Sequence, residues 1–328
     1  MNSFASTRPL RLGTRRSPLA MAQAEEARDR LCAAHPGLAV EIVPVTASGD
    51  RIQDRPLAEI GGKALWTKEL DQWLLTGEID FAVHSLKDVE TIRPAEIVIA
   101  AVLPREDVRD VLVGAESIRA LPQGAVVGTS APRRAAQLLH ARPDCKVVSF
   151  RGNVATRLAK LAAGEADATL LARAGLNRLG ESGTGHPLDP HEWLPAPGQG
   201  AIAIECRLNA YETRRLLSAI DHAPSRHAVM AERQLLAGLG GNCHSPIAVL
   251  TEADGDELVM RAAILSPDGA ERVERLARFA PGNPAGPAAL AEELLSLAPA
   301  SIRVPEWHPP IYCRLLRADR IHAVLLER

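Results

Sequence analysis

Two rhythms of apolar and polar positions interleave along the first 222 residues. Short, almost continuous apolar runs predict strands at Leu10–Gly13, Val40–Thr46, Phe81–His84, Ile97–Val102, Val111–Val113, Ala125–Gly128, Val147–Phe150, Ala168–Leu171 and Ala201–Glu205. Longer segments with a helical period predict helices at Pro18–Ala34, Ala64–Thr76, Pro132–His140, Val154–Ala163 and Ala174–Leu179. Strands alternating with helices form βαβ units, so the expectation is α/β with mainly parallel sheets covered on both faces.

Two such sheets fit this stretch better than one. Leu103–Asp110, with Pro104 and several charges, reads as a crossing linker, and the Pro/Gly-rich Leu194–Gly200 reads as the return. The expected first domain is therefore discontinuous, residues 1–103 with 201–222, and residues 104–200 form an inserted second domain. A cleft between two α/β domains is a common ligand site. After His222 the pattern changes: helix Ser225–Leu239, three alternating segments (Ile247–Thr251, Leu258–Leu265, Arg272–Phe279) and helix Pro287–Leu297 predict an α+β domain over residues 223–298. Residues 299–328 have no clear period and stay unplaced.

Composition narrows the function classes. Aromatics make up only 3% of the chain, so the cores are built from Ala, Leu, Val and Ile. A net charge of -2 opposes a general nucleic-acid binder, which needs cationic excess to release counterions. Only five of the 38 Lys and Arg residues are Lys; genomic base composition accounts for such a bias, and some of the arginines serving as bidentate carboxylate or phosphate clamps accounts for it too, so position rather than count decides. Five cysteines without a C-x-x-C pair fit free thiols in a reducing compartment better than disulfides or a zinc site. No apolar region follows Arg15-Arg16 and no run is long enough to span a bilayer, so the expected location is cytoplasmic.

Three strand-to-helix junctions could act as anion cups. Thr14-Arg15-Arg16-Ser17-Pro18 places a candidate N-cap and a Pro at a helix start; Thr129-Ser130-Ala131-Pro132-Arg133-Arg134 repeats the arrangement, as does Arg151-Gly152-Asn153 with Arg157 one turn on. Each combines free N–H groups, a positive dipole end and Arg side chains. Three together point to a ligand with several negative groups. Phosphate is the competing anion, but Gly61-Gly62-Lys63-Ala64 fails the P-loop pattern and no G-x-G-x-x-G follows a strand, so a polycarboxylate is preferred.

Two further features carry candidate chemistry. Val83-His84-Ser85-Leu86-Lys87-Asp88 leaves a buried strand and ends in charge, with Lys87 beside Asp88 to keep the carboxylate ionised. Cys243 stands in the flexible loop Gly238-Leu-Gly-Gly-Asn-Cys-His-Ser-Pro246, whereas Cys32 and Cys206 read as packing residues. From residues alone, a solute-binding or ligand-sensing protein of two-lobed architecture and a cysteine hydrolase using Cys243 and His244 remain open alternatives.

The series of motifs resembles the porphobilinogen deaminase (hydroxymethylbilane synthase) family. It comprises Arg11-Leu-Gly-Thr-Arg-Arg-Ser-Pro-Leu-Ala20, Gly61-Gly-Lys-Ala-Leu-Trp-Thr-Lys-Glu-Leu70, Ala82-Val-His-Ser-Leu-Lys-Asp-Val89, Leu103-Pro-Arg-Glu-Asp107, Val127-Gly-Thr-Ser130, Arg151-Gly-Asn-Val154, Ala174-Gly-Leu-Asn-Arg-Leu-Gly180, Pro197-Gly-Gln-Gly-Ala201 and the Cys243 loop, in order over roughly residues 10–298. The resemblance implies two periplasmic-binding-protein-like α/β domains plus a C-terminal α+β domain. It implies a monomeric transferase of tetrapyrrole (haem) biosynthesis that condenses four porphobilinogen molecules, releasing ammonia. The product grows on a dipyrromethane primer held by a thioether to Cys243. Asp88 is the implied catalytic acid, and Arg15, Ser17, Lys87, Asp88, Thr129, Ser130, Arg133, Arg134, Arg151, Gly152, Arg157 and Arg178 are the implied cofactor and substrate contacts. No metal, nucleic acid or membrane is implied. Glu59 stands where Lys is frequent, Glu90 where Pro is usual, Ala131-Pro132 replaces a Ser-plus-aliphatic pair, and Asn242-Cys243-His244 departs from the commoner Gly-Cys-Gln. These departures bear on individual contacts, not on the reaction.

Overall fold

A computed structural model describes residues 8–45 and 65–302. Gly61–Ala64, Glu59, Cys313 and the tail from residue 303 lie outside the described residues, as does the predicted last strand residue Thr46.

The chain enters through β1 (Leu10–Arg15) and turns into α1 (Pro18–Ala34). Ser17 caps this helix, its Oγ accepting from the Ala20 amide at 3.3 Å, and Pro18 supplies a preset φ in the first turn. The helix stops at His35, just before Pro36 and a left-handed Gly37. Gln23, Ala24, Ala27 and Leu31 share the face that α1 buries on the sheet. There follow β2 (Val40–Val45), α2 (Leu65–Thr76), β3 (Phe81–Ser85), a 3-10 turn at Leu86–Asp88 and β4 (Ile97–Val102).

The chain then crosses to a second sheet with β5 (Asp110–Val113), β6 (Val126–Gly128), α3 (Pro132–Ala141), β7 (Lys146–Val148), α4 (Val154–Ala162), β8 (Ala168–Ala172), α5 (Arg173–Arg178) and the two-residue β9 (His186–Pro187). It returns as β10 (Ile202–Arg207), followed by the short helix α6 (Tyr211–Leu217). Neither β9 nor α6 has a period long enough to register in the sequence pattern.

The first sheet has the order β2-β1-β3-β10-β4 and the second β7-β6-β8-β5-β9. In each, four strands run one way and the crossing strand, β10 or β5, runs against them. The mainly parallel expectation holds, with one reversed strand per sheet where the chain changes sheets. The two crossings run side by side: Leu103 donates to the Ile202 carbonyl at 3.2 Å and Glu106 to the Gly200 carbonyl at 3.2 Å. Gly200 has φ +84, and a Cβ there would run into the Glu106 carbonyl, so only glycine fits this approach. Asp110, assigned to the linker from sequence, is instead the first residue of β5.

Helix α7 (Ala223–Gly238), strands β11 (Ile247–Asp254), β12 (Glu257–Leu265) and β13 (Arg272–Phe279), and α8 (Ala285–Leu297) complete the described chain. The three strands form an antiparallel sheet whose period-two pattern serves two cores. Ile247, Val249, Leu258, Met260, Ala262 and Ile264 face α7 and α8. Ala248, Leu250, Ala263 and Leu265 face Ala136 and Leu194 of the second sheet's layer. Arg105, on the outward crossing, bonds Glu232 of α7 through 2.7 and 3.0 Å contacts and the Gln199 carbonyl at 2.8 Å, while Gly198 donates to Glu232 at 2.7 Å. One buried ion pair thus ties both crossings to α7.

Candidate functional site

The first two sheets meet at a cleft formed by two adjoining depressions that share Leu19, Gln23 and Ser85. One, of roughly 430 Å³, is lined by Arg15, Ser17, His84 and Asp88 among others; the second, of roughly 300 Å³, is lined by Lys87, Arg178, Gly198 and Gly200. Strand β3 delivers this chemistry. Its buried residues Phe81–His84 anchor the 3-10 turn that presents Lys87 and an exposed Asp88. Below, Gln23 and Ser85 bond each other at 2.8 and 3.1 Å and fix the shared wall.

Cations from the second sheet reach the same place. Arg157 sits within electrostatic range of Arg134 and Asp88; desolvation, then Arg134, pulls its pKa down to about 10 against the opposing pull of Asp88. Lys87 is drawn down to about 8, first by desolvation and then by Arg134, with Asp88 and Asp110 opposing. Lys87 thus lies within electrostatic range of Asp88, Arg133 and Arg134, and Arg157 within range of Asp88 and Arg134, although these residues come from both sheets.

The three junctions differ in construction. At the first, Ser17 spends its hydroxyl on the helix cap, and buried Thr14 donates to the Ala20 carbonyl at 3.2 Å. At the second, Ala131 is the N-cap and offers no side-chain acceptor, which leaves first-turn amides of α3 without a side-chain cap. Thr129 is buried and accepts from the Ala131 amide at 3.2 Å; Ser130 is exposed and donates to the Phe150 carbonyl at 2.8 Å. At the third, Asn153 caps α4, Gly152 has φ +107, and Arg157 donates from Nε to the Gly152 carbonyl at 3.0 Å. Ser130 and Ser149 stand 3.0 Å apart, so the second and third junctions are neighbours.

Three expected contacts have partners within the protein. Arg133 and Arg134 are both buried and share Asp110, at 2.8 and 2.7 Å. Arg133 also donates to the Leu194 carbonyl at 2.9 Å and Arg134 to the Leu170 carbonyl at 2.8 Å. Asp110 further accepts from Gln199 at 2.8 Å and from the Trp193 indole at 2.9 Å. Arg133 and Arg134, expected as cofactor and substrate contacts, thus share a buried acid, Asp110, that the sequence reading did not foresee. Arg178 likewise donates to the Gly200 carbonyl at 3.0 Å and lies 3.5 Å from Glu26 of α1, a contact across the cleft.

Unmet donors remain. Arg133 Nε, Arg134 Nε, Arg151 Nη1 and Arg178 Nε are buried without a hydrogen-bond partner. Buried guanidinium donors left open are costly unless something accepts from them. A ligand rich in carboxylates would do so.

Cys243 is the one exposed free thiol among the described residues. Its loop is a compact turn in which Asn242 donates to Ser245 Oγ at 3.1 Å and accepts from the His244 amide at 2.8 Å. Thr91 donates to the Gly241 carbonyl at 3.1 Å, and Arg233 of α7 donates to the carbonyls of Val89, Glu90 and Thr91, so the thiol loop is tied to the segment that follows Asp88. The thiol is pushed up to about 11, first by desolvation and then by the charge of Asp88, with Glu90 adding to it. Asp88 and Cys243 therefore share one neighbourhood, though 155 positions apart in sequence. A raised thiol is the reverse of the depressed one that a Cys–His nucleophile needs.

Residues 10–215 match the family model described as porphobilinogen deaminase, dipyromethane cofactor binding domain, and residues 227–296 match porphobilinogen deaminase, C-terminal domain. The chain is 58% identical over 314 residues to the porphobilinogen deaminase of Sphingopyxis alaskensis, covering 92% of this chain and 98% of that one. It is 53% identical over 300 residues to that of Paracoccus denitrificans, covering 89% and 95%. Among solved structures it is similar to the VFT2 domain of Bordetella pertussis BvgS, at 21% identity with a TM-score of 0.38 over 65% of this chain and 85% of that one.

Proposed function

The chain belongs to the porphobilinogen deaminase family, and on that premise we propose that the cleft between its first two sheets holds the cofactor and the growing product, with Asp88 as the catalytic acid. The protein is a transferase of tetrapyrrole biosynthesis that condenses porphobilinogen to hydroxymethylbilane, and its cofactor is dipyrromethane. The observation that carries the site reading is that Asp88 and Lys87 line the cleft while the Cys243 loop is hydrogen-bonded to the segment that follows Asp88.

Each pyrrole of the product carries an acetate and a propionate. Arg15, Arg151, Arg157 and Arg178 are matched to such groups by charge and by bidentate geometry, Lys87 by charge, and the helix starts of α1, α3 and α4 by their amides. Thr129, Ser130, Ser17 and Gly152 shape the same junctions and bring backbone close to the ligand. The cofactor's fit rests on Cys243, exposed and tied to the Asp88 segment, and on the open guanidinium donors. When bound, dipyrromethane supplies a tethered, electron-rich pyrrole carbon to which each new unit is joined.

Loss of ammonia from the aminomethyl group of porphobilinogen leaves a cationic, electron-poor carbon. The Asp88 carboxylate stabilises that charge where it develops and handles ring protons. Arg133 and Arg134 act from below, held in place by Asp110. The same reading divides the chain at its two crossings: residues 1–103 with 201–222, residues 104–200, and residues 223–298, the last bearing Cys243. It also takes the protein to be a cytoplasmic monomer. No helix among the described residues is long and apolar enough to cross a membrane.

Purified protein incubated with porphobilinogen is expected to release four ammonia per tetrapyrrole formed. Pyrrole consumption without ammonia, or no consumption, would remove this reading. The pH dependence follows from Lys87. With its pKa near 8 it is cationic below that value and loses its charge as pH rises through it. A charge-assisted hydrogen bond is worth about 1.5–3 kcal/mol, so KM for porphobilinogen is expected to rise about tenfold from pH 7 to 9.5. Lys87→Arg should flatten that rise; a wild-type KM independent of pH over this range would exclude Lys87 as a carboxylate contact.

A further inference from the structure

Leu19, Gln23 and Glu26 are four and three positions apart, so they form one stripe along α1. Leu19 and Gln23 line the smaller depression of the cleft together with Gly175 and Arg178 of α5. The two helices approach closely there: a Cβ on Gly175 would lie 3.5 Å from Leu19 Cδ2. Three residues further along α5, Arg178 Nε lies 3.5 Å from Glu26 Oε2. One lobe thus offers a carboxylate to a guanidinium of the other, at the wall of the pocket that Arg178 lines.

The pairing is loose at both ends. The Arg178 side chain is only 9% exposed and its Nη2 is spent on the Gly200 carbonyl at 3.0 Å, yet its Nε has no hydrogen-bond partner. At 3.5 Å Glu26 gives that nitrogen a counter-charge without a hydrogen bond. Burial draws the guanidinium below its ordinary pKa, and Glu26 is the foremost charge opposing this, ahead of Glu106, while Arg30 adds to it. Glu106 is already engaged, accepting from Asn177 at 3.1 Å and from the Asp107 amide at 2.9 Å. Glu26 has somewhere else to go: its Oε1 accepts from Nε of the exposed Arg30, one turn along α1, at 3.1 Å. Of the two acids, Glu26 is the one able to leave.

We propose that Glu26 is a specificity residue of the cleft, an internal carboxylate that occupies Arg178 and yields it to a side-chain carboxylate of incoming porphobilinogen. The proposal rests on the family reading above and on Arg178 as a substrate contact. A pyrrole acetate or propionate can accept the Nε–H bond that Glu26 does not make, and a charge-assisted bond of that kind is among the strong ones. Glu26 then withdraws to Arg30 and solvent, with its charge still paired. A ligand without a carboxylate cannot make the exchange and meets Glu26 in its way, so the device selects for acids.

The test is a two-by-two set in the full-length holoenzyme: wild type, Glu26→Gln, Arg30→Gln and the double variant, each assayed for KM and kcat with porphobilinogen. Glutamine keeps the size of Glu26 but removes the competing charge. Glu26→Gln is expected to lower KM about fivefold, the gain when substrate no longer waits for the one molecule in about five whose Arg178 is released. Its kcat should stay within about twofold of wild type, and its thermal midpoint close to it, because a partly exposed pair adds little stability. Arg30→Gln removes the partner to which Glu26 withdraws and should raise KM about threefold. In the double variant KM should return to the Glu26→Gln value, since Arg30 acts only through Glu26. A residue that merely held Arg178 in place would give the opposite sign, a raised KM in Glu26→Gln. That result, an unchanged KM, or an Arg30→Gln effect that persists in the double variant would overturn the proposal. Failure of the family reading shows separately, as wild-type protein that does not consume porphobilinogen, and would remove the premise.

Discussion

Replacing Asp88 by Asn is expected to leave the protein folded, with its thermal midpoint and its mass increment over the bare chain unchanged, and to lower kcat by about 10³-fold or more. The side chain is exposed at the end of a 3-10 turn and supports no packing, so its removal costs little stability. Its loss would fall on the step at which positive charge appears. The cleft is otherwise strongly cationic, with Arg15, Lys87 and Arg157 nearby and Arg133 and Arg134 within electrostatic range of Lys87. A cationic carbon forming among those groups without Asp88 would be repelled from every side. Steady-state kinetics with porphobilinogen check this, and kcat within tenfold of wild type would take Asp88 out of its role.

The second large effect concerns stability. Asp110 is completely buried between two guanidiniums, an amide and an indole, and Arg133 and Arg134 hold its carboxyl far below the usual range despite desolvation. Asp110→Asn leaves two buried guanidiniums uncompensated, and breaking a buried pair in this way costs about 3–5 kcal/mol. The sign of the pH dependence is fixed by the depressed native pKa. Wild type keeps this contribution above the unfolded-state value of about 4 and loses it as pH falls further, because the unfolded chain then binds a proton that the native state does not. The stability gap between wild type and Asp110→Asn, measured by denaturant midpoint, should therefore be widest near neutral pH and shrink below about pH 4. A gap under 1 kcal/mol at pH 7 would show that the two arginines have other partners.

Much of the fold was legible because its signals are local. Helix α1 announces both ends: Ser17 and Pro18 open it, and Pro36 with Gly37 follows its close. The C-terminal sheet shows as period-two alternation because each of its faces has its own core to fill. The Gly-rich loop around Cys243 singled out the one exposed thiol among the described residues. What escaped was pairing at long range. Asp110 looked like a solvent-facing linker acid because its partners, Gln199 and Trp193, lie 89 and 83 positions away. His84 sat in an apolar strand run with nothing nearby to reveal Glu205 on an antiparallel neighbour. The doublet Arg133-Arg134 read as a clamp because charge at a helix start is visible in sequence, whereas the buried acid that occupies it is not.

The covalent anchor is the point on which the rest turns, and the intact mass of the purified protein reads it directly. Wild-type protein should exceed the mass of its 328-residue chain by a two-pyrrole increment that survives denaturation and disappears in Cys243→Ser. A wild-type mass equal to that of the bare chain, from protein that also consumes porphobilinogen, would contradict a product grown on a sulfur-bound primer.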